Sequence, residues 1–450
     1  MSIFSISLCV LLIYQFIKLD FKKNYELLII ESILLKLLCD IGIGIDLPFI
    51  SLRPYEIVFY ILTIFSFFIL VKKRRPSKKQ IKLFIILLIL IFVNNALLII
   101  HPLNYKTVCF PNLWYDYFTN GISGVPMFSK FVIIYDIYFI MFYINVCSIF
   151  NFYKKQDIIK LFKKTLNIAF KVLIIIVITE IIIKLIFGDS TFYILRDSIF
   201  GIGDDTSSLL KRGSLITIYG LCTEPSSLAL SLFYIGLGII SVEKCKKIIL
   251  LKLLVLCFIG ILTGSMLFYL LFLLLVTSFL LNISNNIILI IRSHKILFFC
   301  ILLAIINFFI IFSFTQLGSY YLNRVYNIID IIFSGKHNLN SESVRIYSAI
   351  EMIQVFIRSP LIGSGLGTAY GYSSLLTFLA NFGLCGVLFY FYIWKYFIGK
   401  IAIKKIIYIV FPLLISLLIH GSINTFVFPQ FIYLLFLVYY ANYKKGEQND

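Results

Sequence analysis

Charge is what this chain has least of. Only 14% of its 450 residues are Asp, Glu, Lys or Arg, and 61% are hydrophobic, whereas soluble chains carry roughly 25% charged residues. That deficit excludes an ordinary soluble protein of this length, which would divide into two or three domains. Cysteine is present but unpaired in pattern: the nine fall singly, with no C-x-x-C, so neither a disulfide framework nor a zinc site is indicated. The four histidines (101, 294, 337 and 420) are scattered, with no H-E-x-x-H. The opening, MSIFSISLCVLLIYQFIKLD, lacks a basic n-region and an A-x-A-like cleavage site, and reads as a retained first span.

What is present is a series of apolar runs. They fall near 2–17, 27–46, 54–71, 81–100, 129–150, 168–187, 216–241, 248–263, 265–282, 296–315, 372–394, 405–421 and 424–442. Runs of about 20 apolar residues are long enough to cross a bilayer as helices. The sequence therefore predicts an all-α, polytopic integral membrane protein of about 12–14 transmembrane helices, residues 1–450 forming one membrane domain. Between the runs lie basic clusters: KKRRPSKK (72–79), KKQDIIKLFKK (154–164), EKCKK (243–247), KIAIKK (400–405) and KK (444–445). Placing these on the cytoplasmic side puts most of the 40 basic residues inside, so the net charge of +19 encodes orientation and not nucleic-acid binding.

Three long outer, periplasmic loops follow from this layout: 101–128, 188–215 and 316–371. Long loops on one side usually carry function. Within the last, SVRIYSAIEMIQVFIR (343–358) is too charged to span. Ile346, Ile350, Ile353 and Ile357 recur at helical spacing, with Glu351, Gln354 and Arg358 opposite, which predicts an amphipathic helix along the membrane surface. The glycine-rich turn SPLIGSGLGTAYG (359–371) comes next. No strand precedes it, so it is not read as a phosphate loop.

Polar residues out of place give the candidate site. Glu224 and Pro225 interrupt an apolar run at CTEPSS. Proline favours the first position of a helix, which makes Glu224 its N-cap, with Ser226 and Ser227 in the first turn. Two readings stand: Glu224 caps the helix at the interface, or it is a polar group on an outward-opening cavity. Lys211, Arg212, Arg345 and Arg358 are basic residues on the outer side, and an arginine fork suits the oxygens of a diphosphate. Arg196, Arg324 and Lys336 read as solvated or snorkelling. His420, at the outer end of a span, is a further cavity candidate. Glu180 and Lys184, four apart, read as a self-neutralising pair. Asp204 and Asp205 are adjacent and do not make a metal site, so no metal and no cofactor is expected.

Two of these segments together resemble the O-antigen polymerase and ligase superfamily of bacteria. RGSLITIYGLCTEPSSLAL (212–230) is similar to the polymerase segment in which an arginine precedes a G-x-x-x-E-P-S helix start. Residues 341–391 resemble the superfamily's shared region, with Arg345 opening an amphipathic helix, then Pro360, Gly363, Gly365 and Gly367, then Gly383 and Gly386. Tyr372 and Ser373 stand where ligases of this superfamily carry a His-Asn pair, and Asn381 replaces a frequent glutamate, which favours a polymerase over a ligase. The resemblance implies a metal-independent glycosyltransferase in the bacterial inner membrane. It would join undecaprenyl-diphosphate-linked repeat units at the periplasmic face. Glu224 and Arg345 would be catalytic, with Arg212, Arg358, Lys211, Tyr372 and His420 binding substrate. Expected partners are the lipid-linked oligosaccharides, membrane lipid, a chain-length regulator and a flippase, and no nucleic acid. A ligase-type transferase and a flippase of the same glycans are the alternatives. A flippase would usually show two matching halves, which this sequence lacks.

Overall fold

A computed structural model describes residues 2–38, 45–46, 51–109, 123–201, 217–222, 224–283, 341–399, 405–420 and 429–443, with isolated positions between them. Among the described residues there are fourteen α-helices. These are α1 (Ile3–Lys18), α2 (Phe21–Leu38), α3 (Pro54–Phe68), α4 (Lys78–Ile100), α5 (Lys130–Phe152), α6 (Lys155–Phe187) and α7 (Asp189–Phe200), then α8 (Pro225–Val242), α9 (Lys246–Leu262), α10 (Met266–Ile283), α11 (Ser341–Arg358), α12 (Ser374–Ile398), α13 (Phe411–Ile419) and α14 (Pro429–Tyr443). The extended structure is slight: a two-residue antiparallel pair, Ile45–Asp46 with Ser51–Leu52, and two isolated bridges.

The molecule is thus the all-α polytopic membrane protein that the apolar runs imply. Among the described residues, five helices are long and apolar enough to cross a membrane: Pro54–Lys73, Lys78–Ile100, Lys130–Phe152, Pro225–Val242 and Ser374–Ile398. Others, such as Ile3–Lys18, Met266–Asn282 and Ile406–Ile419, are apolar but shorter. α4 shows why the runs look hydrophobic on every side. Leu83, Leu87, Ile91 and Leu98 form a buried stripe, while Ile85, Ile89, Phe92 and Ile99 on the other face are exposed, where lipid would meet them. α8 is the opposite case. It packs against α2, α6, α9, α10 and α14 and is buried along nearly its whole length.

Several sequence boundaries move. The run 216–241 does not become one helix: residues 217–222 are non-helical and the helix begins at Pro225. The basic stretch 154–164 is not a loop but the first third of α6, a continuous helix of 33 residues, roughly 50 Å long at 1.5 Å per residue. The run 296–315 lies outside the described residues, as do much of the loops 101–128 and 188–215 and most of 316–340.

The helix foreseen at 343–358 forms as α11 (Ser341–Arg358). Ile350, Ile353 and Ile357 are exposed, and the buried side is Ser348, Met352 and Val355. These meet Val108, Ala369 and Ala380 in a small core separate from the main one.

The glycine-rich turn docks into a break in α12. Gly383 has φ +62° within that helix, which interrupts its hydrogen-bond ladder. The loop supplies the missing partners: Ser364 N donates to Ala380 O (2.8 Å) and Gly365 N to Asn381 O (2.9 Å), while Leu384 N and Cys385 N donate to Pro360 O and Leu361 O (2.9 and 3.0 Å). Buried backbone groups must be paired, and inside a membrane water cannot do it. Asn381 locks the arrangement: its Oδ1 accepts from Thr368 N and Ala369 N, and its Nδ2 donates to Ala369 O and Thr377 O. No room is left for a side chain, since a Cβ on Gly363 or Gly383 would lie 2.5 Å from backbone atoms of the other strand of this contact.

Gly383→Ala is therefore expected to abolish folded protein. Gly399→Ala, at a similar φ of +80° but with nothing within 4 Å of its Cβ, should cost only the backbone strain of about 1–3 kcal/mol. Yield and thermal unfolding of the two variants in detergent check this; equal behaviour would remove the docking argument.

Candidate active site

α8 starts at Pro225, with Glu224 as its N-cap residue, φ −128° and ψ 147°. The Glu224 carbonyl accepts from Ser227 N at 3.1 Å and begins the helix. Its carboxylate does not cap the helix. Oε2 accepts instead from Ser226 Oγ (2.7 Å) and from Arg345 Nη2 (3.1 Å). Of the two readings of Glu224, side-chain capping does not occur; the carboxylate is an exposed polar group held by Arg345 and Ser226. Arg345 Nη2 also lies 3.5 Å from Ser226 Oγ. The pair is open, with the side chains 27% and 55% exposed for Arg345 and Glu224. An ion pair so exposed contributes no more than about 1 kcal/mol, so a ligand can separate it cheaply.

Tyr372 and His420 join this site. The Arg345 guanidinium carbon sits 5.6 Å from the centre of the Tyr372 ring, a cation–π contact. Tyr372 N donates to Ser348 Oγ, which in turn donates to Arg345 O, tying the loop to the arginine's own helix. His420, at the C-terminal cap of α13, is buried and within electrostatic reach of Arg345. Tyr370 packs edge-on against Tyr372 at 5.5 Å. Burial first, then the neighbouring Tyr372, Tyr135 and Glu224, push the Tyr370 phenol up, so it stays protonated and able to donate. Sequence reasoning missed Tyr370, although its spacing of two from Tyr372 in an extended run was the available signal.

Arg358 is placed elsewhere. It stands thirteen residues beyond Arg345 on α11, roughly 20 Å by helical rise, stacked 4.2 Å over the ring of Tyr105. The Tyr105 hydroxyl donates to Glu351 at 2.8 Å and also bonds Gln354, so this group fastens α11 to the 101–109 segment. Lys211 and Arg212 lie outside the described residues, as do Arg324 and Lys336. Among the described residues no group of three or more His, Cys, Asp or Glu side chains gathers to hold a metal.

Three buried charges support Glu224 from below. Glu180 and Lys184 do pair, Nζ to Oε1 at 2.6 Å, both side chains almost wholly buried. The pair does more than neutralise itself. Glu180 accepts from Tyr219 N (3.0 Å) and Gly220 N (2.6 Å), and Lys184 Nζ donates to Thr217 O. Arg196, expected to be solvated, is 1% exposed: Nη1 donates to Cys222 O at 3.3 Å, and the guanidinium carbon stacks 5.2 Å from the Tyr193 ring. The Asp197 carboxylate, which accepts from Nε and Nη2 at 3.3 Å, a backbone carbonyl and a ring face replace water around this cation. All four contacts hold residues 217–222, the chain that delivers Glu224. Gly220, at φ +61°, makes the turn.

Comparison with models of known protein families gives no match, and no curated protein matches the chain.

Removing one partner of a buried ion pair typically costs about 3–5 kcal/mol, because the other charge is left bare. Glu180→Ala is expected to lower the unfolding temperature sharply. Glu180→Met with Lys184→Met together should recover only the part due to the bared charge, since the amides of Tyr219 and Gly220 still lose their acceptor. Thermal unfolding in detergent reads both; a single variant as stable as the parent would mean the pair does not hold the segment.

Proposed function

We propose that the chain is a surface-polysaccharide polymerase. It joins lipid-diphosphate-linked oligosaccharide repeat units at the periplasmic face of the bacterial inner membrane. The observation that carries this reading is the Arg345–Glu224 contact. It unites, across 121 residues of sequence, the two segments that resemble the polymerases, and it does so in an exposed polar site on a membrane protein.

The chemistry assigned to these residues balances without a nucleotide. A hydroxyl oxygen of the acceptor repeat attacks the anomeric carbon of the donor glycan. The bond from that carbon to the diphosphate oxygen breaks, and undecaprenyl diphosphate leaves with the electron pair. Charge develops on the departing diphosphate, and the Arg345 fork stabilises it. As Arg345 turns to the diphosphate, Glu224 loses its partner and becomes the carboxylate that takes the proton of the acceptor hydroxyl. The weak, exposed ion pair suits this exchange. The flippase alternative draws on the broken helix, a feature of transporters. Here, however, the loop closes the break with hydrogen bonds, so no open backbone is offered to a substrate. On this reading a flippase supplies the substrate and a chain-length regulator acts on the product.

Arg345→Ala and Glu224→Gln should each lower polymer formation by about 100-fold, the scale of losing one charge-stabilising or proton-transferring group, without lowering the amount of protein. Deleting the gene and sizing the lipopolysaccharide on a gel tests the reading itself. A ladder collapsed to core plus one repeat supports a polymerase. Loss of every glycan-bearing band, the single repeat included, would transfer the assignment to a ligase or a flippase.

A further inference from the structure

Among the described residues, two buried polar side chains near Tyr372 and Arg345 have nothing to bond to. Thr377 Oγ1 and both ring nitrogens of His420 are enclosed there without a hydrogen-bond partner, Thr377 being 0% and His420 9% exposed. Buried polar groups are almost always satisfied, and an exception needs an explanation. Several buried serine and threonine hydroxyls within helices follow the ordinary rule by bonding back to their own helix, although the hydroxyls of Tyr153 and Tyr234 are likewise without a partner among the described residues. Thr165 Oγ1 donates to Leu161 O and Ser241 Oγ to Leu237 O. Thr377, in the first turns of α12, does not.

The two groups belong to one place. Ser374 Oγ donates to His420 O at 3.2 Å, fixing the end of α13 against the first turn of α12. Thr377 lies three residues on, on the same face of that helix. The Thr377 hydroxyl adjoins Gly371, where an added Cβ would come within 2.7 Å of Oγ1. Gly371 separates Tyr370 from Tyr372, and the Tyr372 ring lies under Arg345, whose charge reaches His420. Arg345 and Tyr372 are thus linked to Thr377 through Gly371, and Thr377 to His420 through Ser374.

The chemistry of this group of side chains differs from that of the ion pair. A neutral imidazole offers one donor and one acceptor, and a threonine hydroxyl offers both. Such groups match sugar hydroxyls, which also donate and accept, and they are a poor match for a diphosphate, which only accepts. Tyr370 and Tyr372 add aromatic surface against which the carbon face of a sugar ring can pack. We propose that Thr377 and His420, with the Tyr370–Tyr372 edge, form a neutral subsite for a sugar ring of the lipid-linked substrate, next to the Arg345 site that takes its diphosphate. The subsite rests on the polymerase reading for the identity of that substrate, but its chemistry stands on the unpartnered atoms.

Thr377→Val keeps the shape and removes the hydroxyl, and His420→Phe keeps a ring and removes both nitrogens. The purified full chain and both variants are heated alone. Each is then heated with the repeat-unit oligosaccharide freed of lipid and phosphate, or with inorganic pyrophosphate. Polymerisation is followed against the concentration of lipid-linked repeat unit. Thr377→Val should unfold at the same or a higher temperature than the parent, since it deletes an unsatisfied buried group. Its stabilisation by oligosaccharide should vanish, its stabilisation by pyrophosphate should persist, and Arg345→Ala should behave in the reverse way. Half-maximal polymerisation should need at least tenfold more substrate in both subsite variants. Unchanged oligosaccharide stabilisation and half-saturation in both would overturn the subsite while leaving the polymerase in place. A fall in the unfolding temperature of Thr377→Val that accounts for its lost activity would also overturn it, by making the hydroxyl structural. A parent that fails to polymerise, yet is stabilised by the oligosaccharide only while Thr377 and His420 are present, would overturn the polymerase and keep the sugar site.

Discussion

The bonding of the 359–373 loop into the break of α12 is the constraint on which the site depends. A helix interrupted inside a membrane must find partners for the carbonyls before the break and the amides after it. Here one loop supplies both sets, through Ser364, Gly365, Pro360 and Leu361, and Asn381 pins it from the side. The same loop carries Tyr370 and Tyr372 at its far end and follows directly on the helix that holds Arg345. Closing the break thereby sets where the arginine stands. Asn381 also acquires a physical role: it neutrally bonds two amides and two carbonyls, which a carboxylate, having no donor, could not do.

The other half of the site is held by a different device. Glu224 follows a short non-helical stretch that hydrophobic patterning cannot distinguish from the helix after it, because ITIYGLC is as apolar as the membrane run it adjoins. What keeps that stretch from becoming helical is remote. Glu180 takes the amides of Tyr219 and Gly220, and Arg196 takes the carbonyl of Cys222. Three charges are sunk at the end of α6 and in α7 to fix six residues of backbone. Buried charges destabilise a membrane protein unless they are paired; here Glu180 pairs with Lys184, and Arg196 with Asp197.

The sequence was informative where the physics is local. Apolar runs mark the helices, Pro225 marks the start of α8, and the spacing of Ile346, Ile350, Ile353 and Ile357 marks α11. Glu224 and Arg345 each stood out as polar residues in unexpected places, but their contact is a product of folding across the whole bundle and no spacing rule encodes it. Arg196 was misread for the same reason, since burial of a cation is decided by what comes to meet it. Arg358 looked like a companion to Arg345 because both flank one helix, yet the length of that helix keeps them apart. Thr377 carried no signal at all: within a helix a threonine is ordinary until its hydroxyl is seen to have no carbonyl.

The two charged residues of the site also differ in how firmly they are mounted. Glu224 stands at the N-terminus of α8, which five other helices enclose. Arg345 rides on α11, whose buried face belongs to a satellite core of five fully buried side chains, Val108, Met352, Val355, Ala369 and Ala380, while its isoleucines face outward. At about 1.5–3 kcal/mol for a large buried apolar side chain, and two of the five being alanines, that satellite is a small fraction of the cohesion around α8. The carboxylate is a fixed post and the arginine an arm hung on a lighter hinge. Any separation of the two charges therefore falls to the arm, whose Ile350, Ile353 and Ile357 already lie exposed.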